Sequence, residues 1–403
     1  MASSIIISFI ILLLLAYIFE ITTAKVKIPP VILLLALGFT VKIISIYAHI
    51  SIPDISPILP VLGTVGLILI VLEGSLELEM HRSKLPLILK SLVISLLPIL
   101  GISFGIAWYL MVFEAVEFKV ALSNAIPLGV ISSAIAIPSA RNLLRKDKEF
   151  ITYESSLSDI FGVIFFNFVT LNDQFNGNTF GEFGLEFLLM LVISFVATLL
   201  LAEFLHRIRH HVKFVPIILS IVLIYFISKE YHLPALIFIL LFGLIMGNID
   251  ELRHFKFVQK FHPIHFSRDV TKFREITTEF AFLIRASFFI VFGFLLEIDD
   301  LLNTSTIFMA IGITAGIFII RAVVLFAFRI PVNPLVFIAP RGLITILLFL
   351  TIPESRQIPQ VSQSLITQVI LLTAFVMMFG LMKYKKPLEK GHAMQEDRST
   401  SGE

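Results

Sequence analysis

The sequence has no cysteine and little charge. Its 403 residues include 0 cysteines and 1 tryptophan, and Asp, Glu, Lys and Arg together make up 15%. The absence of cysteine excludes disulfides, thiolate metal ligands and cysteine nucleophiles. A soluble globular domain carries about 25% charged residues, so the low charge content excludes an ordinary water-soluble protein.

Hydrophobic residues are correspondingly abundant. They make up 57% of the chain, and the mean hydropathy is +0.97. A transmembrane helix needs about 20 apolar residues, and the sequence divides into stretches near that length. We therefore predict an all-α polytopic membrane protein with about thirteen transmembrane helices. They lie at 3–22, 28–48, 58–78, 85–113, 120–140, 150–171, 183–208, 213–232, 233–249, 280–298, 306–328, 334–353 and 363–382.

The basic residues favour one side of this predicted membrane protein. Most Lys and Arg residues fall in the odd-numbered loops and after the last span, whereas the even-numbered loops hold few, chiefly Lys42, Lys119, Lys229 and Arg356. Because cytoplasmic loops carry the excess of positive charge, the N-terminus is predicted outside and the C-terminus in the cytoplasm. We expect a multi-pass integral membrane protein, in the cytoplasmic (inner) membrane if the source is bacterial.

An odd number of spans predicts two six-helix halves of opposite orientation. Residues 1–182 would form the first repeat and 213–387 the second, joined by a linking helix at 183–212. This arrangement is an inverted repeat, which many secondary transporters share. The polar residues 388–403 are predicted to form a disordered tail.

Each half contains one span interrupted by proline and glycine. These predicted broken helices, at 120–140 and 334–353, occupy matching positions in the two repeats and are expected to cross. The interrupting residues are Pro127, Gly129 and Pro138 in the first, and Pro334, Pro340, Gly342 and Pro353 in the second. Paired interrupted helices indicate a substrate site near the middle of the bilayer.

Residues 250–279 form the one sizeable predicted loop, on the cytoplasmic side. Phenylalanines alternate there with basic residues such as Lys256, Lys260 and Arg268. This amphipathic composition is typical of a helix that lies on an anionic membrane surface. Nucleic-acid binding is the alternative, but tethering to the bilayer argues against it. The expected partner is therefore the lipid bilayer and not nucleic acid.

A few ionisable residues lie at predicted membrane depth. Each costs roughly 2.5–3.5 kcal/mol on insertion scales, which makes each a candidate functional residue. They are Glu73, Glu154, Asp159, Arg285, Arg321 and Arg341. Glu73 is interpreted as a structural acid more readily than as a transport ligand, with Arg285 as its candidate partner through the matching third and tenth spans.

Glu154 and Asp159 share the predicted carboxylate helix, 150–171. Five residues separate them, so they point roughly 140° apart around a helix axis. We expect one acid to be neutralised by a basic partner and the other to face a water-filled cavity and titrate. Arg321 is the natural partner, since a guanidinium does not deprotonate and is expensive to bury alone.

Three short motifs resemble those of one transporter family. The segment Glu154-Ser155-x-x-Ser158-Asp159 resembles the Glu-Ser-x-x-Asn-Asp motif of monovalent cation/proton antiporters, specifically their electroneutral sodium/proton exchanger branch. The segment 72–76, Leu-Glu-Gly-Ser-Leu, is similar to its Phe-Glu-Gly-Gly-Leu segment, and 340–343, Pro-Arg-Gly-Leu, to its Leu-Arg-Gly segment. Two departures are Ser158 in place of Asn, and Ser-Ser-Ala-Ile-Ala-Ile-Pro at 132–138 where the family usually has Thr-Asp-Pro.

The resemblance implies a secondary transporter that exchanges a monovalent cation for protons by alternating access. Sodium is the first expectation, with lithium and potassium as alternatives, and a homodimer is implied. Asp159 would bind the cation or the proton, as the only metal site implied, and Glu154 with Arg321 would form a structural ion pair. Hydroxyl groups near Asp159 would come from Ser132, Ser133, Ser155 and Ser158, and the crossing of the broken helices would include Arg341, Pro340, Gly342 and Pro138.

With Glu154 paired, one titrating acid remains at the site, so we expect electroneutral one-for-one exchange at Asp159. Two alternatives stay open: an exchange-deficient ion sensor or channel-like relative, and an antiporter-fold carrier for another substrate. The sequence has neither His-Glu-x-x-His nor Gly-x-Ser-x-Gly, which argues against an intramembrane enzyme. No cofactor is expected.

Overall fold

The computed structural model describes residues 2–26, 28–50, 52–78, 82–172, 177–207, 213–231, 233, 235–249, 251 and 263–384. These residues fold into helices and connecting turns, which confirms the all-α prediction. The α-helices longer than four residues are α1 (Ala2–Val26), α2 (Pro30–Tyr47), α3 (Ile58–Glu77), α4 (Leu85–Phe113), α5 (Phe118–Gly129), α6 (Ser133–Ser139), α7 (Arg145–Leu171), α8 (Gly177–Arg207), α9 (Phe214–Glu230), α10 (Leu236–Gly247), α11 (Pro263–Leu295), α12 (Thr304–Ala327), α13 (Leu343–Thr351) and α14 (Gln363–Lys383).

Most of these helices are long and apolar enough to cross a bilayer. Among the described residues, 8 helical segments meet that criterion by length and composition. They are Pro30–Tyr47, Ile58–Glu77, Leu85–Phe113, Phe118–Ser139, Gly184–Phe204, Ser267–Leu295, Thr304–Ala327 and Gln363–Lys383. The total of thirteen spans, the inverted repeats and the orientation of the termini stay predictions.

The helices pack into two groups. In the first group, α11 packs against α2 and α3, α10 packs against α3 and α8, and α1 and α9 lie at its periphery. The contact between α2 and α11 is close, because a Cβ atom added to Gly38 would lie 2.1 Å from the carbonyl oxygen of Ile290. A side chain at position 38 would therefore force the two helices apart.

The second group contains α4 to α7 and α12 to α14. Helix α4 packs against α5, α7 and α12, and α12 packs against α14. Helices α5 and α6 are two pieces of one interrupted span, and both contact α7. Helix α3 contacts α7, α6 and α13, so it lies at the boundary between the two groups.

The predicted cytoplasmic loop at 250–279 needs correction. Residues 252–262 lie outside the described residues, but residues 263–279 are helical and continue into the following span as α11. Val270, Phe273, Thr277 and Ala281 are buried and recur every three or four residues, so this face packs on the protein. Phe273 contacts the rings of Phe214 and Phe242. The amphipathic pattern therefore reflects helix packing here.

The linking segment predicted at 183–212 corresponds to α8, Gly177–Arg207, and residues 208–212 lie outside the described residues. The predicted tail, 388–403, also lies outside them. The broken helix predicted at 120–140 is α5 and α6 with a gap at 130–132. The one predicted at 334–353 is a 3-10 turn at Leu335–Phe337, an irregular segment at 338–342 and then α13.

Candidate ion-binding site

The two interruptions of regular helix meet in the second group. The backbone N–H of Ser132, in the first interruption, donates to the carbonyl oxygen of Pro340 in the second at 2.9 Å. Gly342 permits this close approach, because a Cβ atom there would lie 2.6 Å from Ile135 Cδ1 and 3.0 Å from Ser132 Oγ. Pro340 and Gly342 of the second interruption therefore lie at the crossing. Pro138 lies within α6, the helix that follows the first interruption.

The Arg341 side chain donates to backbone carbonyls around this crossing. Its Nε donates to Leu128 O at 2.8 Å and its Nη2 to Gly129 O at 3.1 Å, while Nη1 donates to Ala339 O at 2.7 Å. The last carbonyls of a helix have no partner within that helix and carry partial negative charge. The buried guanidinium of Arg341 therefore satisfies the end of α5 and holds it against the second interruption.

Glu154 and Arg321 form a buried two-point ion pair. Arg321 Nη1 donates to Glu154 Oε1 at 2.6 Å and Nη2 donates to Oε2 at 2.8 Å. Each residue is 1% exposed. Arg321 Nε also donates to the carbonyl oxygen of Leu335 at 2.8 Å. The pair thus connects α7, α12 and the 3-10 turn that precedes the second interruption.

Asp159 lies on α7 beside the start of α6, and its two carboxylate oxygens differ. Oδ2 accepts a short hydrogen bond from the hydroxyl of Ser133, the first residue of α6. Oδ1 is buried and has no hydrogen-bond partner among the described residues. A buried carboxylate oxygen without a partner is costly, so this atom is a place where a proton or a cation would be stabilised.

The other serines predicted at the site are arranged in three ways. Ser132 Oγ is buried and unpartnered among the described residues. Ser158 Oγ accepts from the backbone N–H of Ile131 at 2.9 Å, so it binds the interrupted backbone. Ser155 Oγ donates to Ile151 O at 2.7 Å within α7. The structure therefore brings Ser133 into direct contact with Asp159, and places Ser155 and Ser158 in other hydrogen bonds.

Glu73 and Arg285 lie opposite each other on α3 and α11. Arg285 Nη1 is 3.6 Å from Glu73 Oε2, and both side chains are largely buried. The two residues belong to the first helix group, but α3 also contacts α7 at the next residue, where a Cβ on Gly74 would lie 2.9 Å from Ser156 Oγ. This ion pair is therefore close to the helix that carries Asp159.

Three polar residues near the site were not singled out from the sequence. Thr373 Oγ1 accepts from the backbone N–H of Arg341 at 3.1 Å and so supports the second interruption. Ser156 Oγ and Ser103 Oγ are buried without a partner among the described residues. The only feature of these residues in the sequence is a hydroxyl group within an apolar span. Such residues are common, because their hydroxyls can donate to a carbonyl group of their own helix.

The profile of the family described as "Sodium/hydrogen exchanger, transmembrane" matches residues 10–383. The chain belongs to the sodium/hydrogen exchanger family. It is thus a multi-pass integral membrane transporter and not an enzyme, as the motifs predicted. No match was found among curated proteins.

Two solved structures have the same fold as this protein. The sodium proton antiporter MjNhaP1 from Methanocaldococcus jannaschii at pH 8 has a TM-score of 0.63 and 16% identity, over 94% of this chain and 95% of that one. A three-dimensional electron-microscopy map of MjNhaP1 from the same organism gives a TM-score of 0.65 and 18% identity, over 96% of this chain and 99% of that one. At this identity the similarity establishes the fold.

Proposed function

We propose that this protein exchanges a monovalent cation, sodium first, for protons at Asp159. The observation that carries the proposal is the buried, unpartnered Oδ1 of Asp159 beside the meeting point of the two interruptions. A proton bound to this carboxylate, or a partly dehydrated cation next to it, would neutralise its charge. Because the two species need the same carboxylate, binding of one would displace the other.

The neighbouring oxygen atoms suit a small monovalent cation. Ser133 Oγ contacts the carboxylate of Asp159 directly. Ser132 is the preceding residue, and its Oγ has no hydrogen-bond partner among the described residues. Hydroxyls and carbonyls of interrupted helices replace part of the hydration shell of alkali cations in other transporters and channels. Lithium and potassium are the alternative cations for the same donor set.

The partners of the other ionisable residues predicted at membrane depth support one-for-one exchange. Glu154 is tied to Arg321 at both oxygens, and Glu73 faces Arg285. Arg341 donates to three backbone carbonyls. Asp159 is then the titrating acid of the site, and its proton-loaded and cation-loaded forms have the same net charge. Exchange between these two forms moves no net charge.

The division of the helices into two groups supports alternating access. Asp159 and both interruptions belong to the second group, while α3 of the first group packs against them. We propose that the second group moves against the first only when Asp159 is neutralised, which couples the two fluxes. The proposal includes the inverted-repeat topology and assembly as a homodimer through the family resemblance.

Purified protein in proteoliposomes with an imposed pH gradient tests the proposal. Sodium, lithium and potassium are each added to vesicles of wild type and of Asp159→Asn, and dissipation of the gradient is measured. Wild type should respond to at least one cation, and Asp159→Asn to none. Asp299→Asn is the matched control, because Asp299 is exposed and distant in sequence from the site. Exchange by the Asp159→Asn protein would refute the proposal, and an uncoupled cation current would favour a channel.

A further inference from the structure

A groove lies between α4 and α12 of the second helix group. Its volume is about 720 Å³. Glycines from both helices line it: Gly101 and Gly105 on α4, and Gly312 and Gly316 on α12. A Cβ atom on Gly105, Gly312 or Gly316 would meet nothing within 4 Å, whereas one on Gly101 would touch Ile320 Cγ2 at 3.4 Å. The two helices therefore meet near Gly101, and the groove between them extends from there towards Glu114.

The groove opens on an exposed apolar surface. Phe308, at its edge, is 80% exposed, and Trp108 on the adjacent face of α4 is 62% exposed. Such side chains are stable in a membrane protein because lipid covers them. An empty apolar groove would forfeit the dispersion contacts of its walls, so a hydrocarbon chain would be stabilised in it.

One end of the groove is polar and acidic. Gln360 Nε2 donates to Glu114 Oε2 at 2.5 Å, and both residues line the groove with Tyr109. Tyr109 and Trp108 are aromatic residues of the kind that concentrate where the membrane meets water. None of the described residues that line the groove is basic. Glu114 directly follows α4, so its carboxylate lies at the end of this span, where it accepts from a neutral amide.

We propose that the groove binds one acyl chain of a phospholipid whose headgroup carries a primary amine, with the ammonium group on Glu114. The helix between Glu114 and Gly101 is about 20 Å long at 1.5 Å per residue, which suits a long acyl chain. Charge complementarity selects the amine headgroup, since an ammonium would neutralise the carboxylate and donate to it. The bound chain would hold α4 against α12, the helix that carries Arg321.

Lipid binding to the purified full-length chain tests this site. Delipidated protein is mixed with phosphatidylethanolamine or phosphatidylglycerol of the same acyl chains, and the bound lipid is counted by native mass spectrometry. Wild type should retain phosphatidylethanolamine in preference to phosphatidylglycerol. Glu114→Gln should bind phosphatidylethanolamine about tenfold more weakly, equivalent to about 1.4 kcal/mol, with little change for phosphatidylglycerol. Equal binding of phosphatidylethanolamine by wild type and Glu114→Gln would overturn the assignment of the headgroup.

A second variant tests the acyl chain. Gly312→Leu fills the groove and should lower the retention of both lipids, while the matched control Gly184→Leu should retain them. Gly184 lies on α8, away from the groove, and a Cβ there also meets nothing within 4 Å. Unchanged retention in Gly312→Leu would contradict the site. A smaller oligomer in Gly312→Leu, with no lipid retained by wild type, would identify the groove as a contact between two copies and also contradict it. Asp159→Asn should bind lipid as wild type does, so the result does not depend on transport.

Discussion

The backbone N–H of Ser132 donates to the carbonyl oxygen of Pro340 at 2.9 Å, which joins two interruptions that lie in different halves of the chain. An interrupted helix leaves backbone groups without partners, and in a bilayer these must be satisfied by the protein. Here each interruption provides hydrogen-bond partners for backbone groups of the other. Asp159 lies beside this junction through Ser133, the residue after Ser132, so the charge of the site and the geometry of the crossing depend on each other.

Arg341→Lys should destabilise the crossing although it keeps the positive charge. The planar guanidinium reaches Leu128, Gly129 and Ala339 at once, and the ammonium group of lysine cannot reproduce that fork. A hydrogen bond to a charged group contributes about 1.5–3 kcal/mol, so a loss of about 2 kcal/mol or more is expected. Thermal unfolding in detergent, followed by circular dichroism, measures it. Arg329→Lys is the control, because Arg329 is exposed, and equal melting temperatures for the two variants would count against this role of Arg341.

Removing one partner of the Glu154 and Arg321 pair should cost more than removing both. Glu154→Gln or Arg321→Met leaves one buried charge without its counterion, which costs about 3–5 kcal/mol. The double variant should be more stable than the sum of the two losses predicts. Unfolding of the four proteins gives the coupling energy. Arg145→Met breaks a pair in which Arg145 is 83% exposed, so it should change stability by less than about 1 kcal/mol. Additive effects at 154 and 321 would contradict a stabilising pair.

Much of the helix layout could be predicted because polar residues mark the ends of the apolar stretches. The predicted span 85–113 has the bounds of α4, Leu85–Phe113. The sequence predicts residues 263–279 as a surface segment separate from the following span, whereas the structure joins them to it in one helix, α11. An amphipathic pattern with charges such as Lys272 and Arg274 fits a helix on lipid or on protein equally well. The burial of one face of this helix and the packing of Phe273 on α9 and α10 show that it contacts protein.

The site was predictable where both partners are charged side chains, as for Glu154 and Arg321, since each is expensive to bury alone. The contacts of Arg341 were not predictable in the same way. Its acceptors are the carbonyl groups of Leu128, Gly129 and Ala339, and every residue carries a carbonyl. The same limit applies to the bond between Ile131 N–H and Ser158, which depends on where the helix stops.

Ser133→Ala should weaken cation binding if its hydroxyl is part of the site. Ser133 Oγ donates to Asp159 Oδ2, whereas the hydroxyl of Ser155 donates to Ile151 within its own helix. Loss of one hydrogen bond to a charged group corresponds to roughly a tenfold rise in the half-saturating cation concentration. Ser155→Ala, the matched control, should change it little. Exchange rates against cation concentration at fixed pH give both values. The reverse ranking would make Ser155 the ligand and Ser133 a structural residue.

One-for-one exchange predicts that the ion gradients at steady state do not depend on membrane potential. Loading Asp159 with a proton or with a monovalent cation gives the same net charge, and the other two acids predicted at membrane depth, Glu154 and Glu73, are each opposite an arginine. Proteoliposomes with a potassium diffusion potential, set by valinomycin, are therefore expected to reach the same sodium and proton gradients at either sign of the potential. Each elementary charge moved would otherwise shift the balance by about 2.3 kcal/mol per 100 mV, which is readily detected. A clear shift would mean that a second proton moves per cycle, and Glu73→Gln would show whether Glu73 carries it.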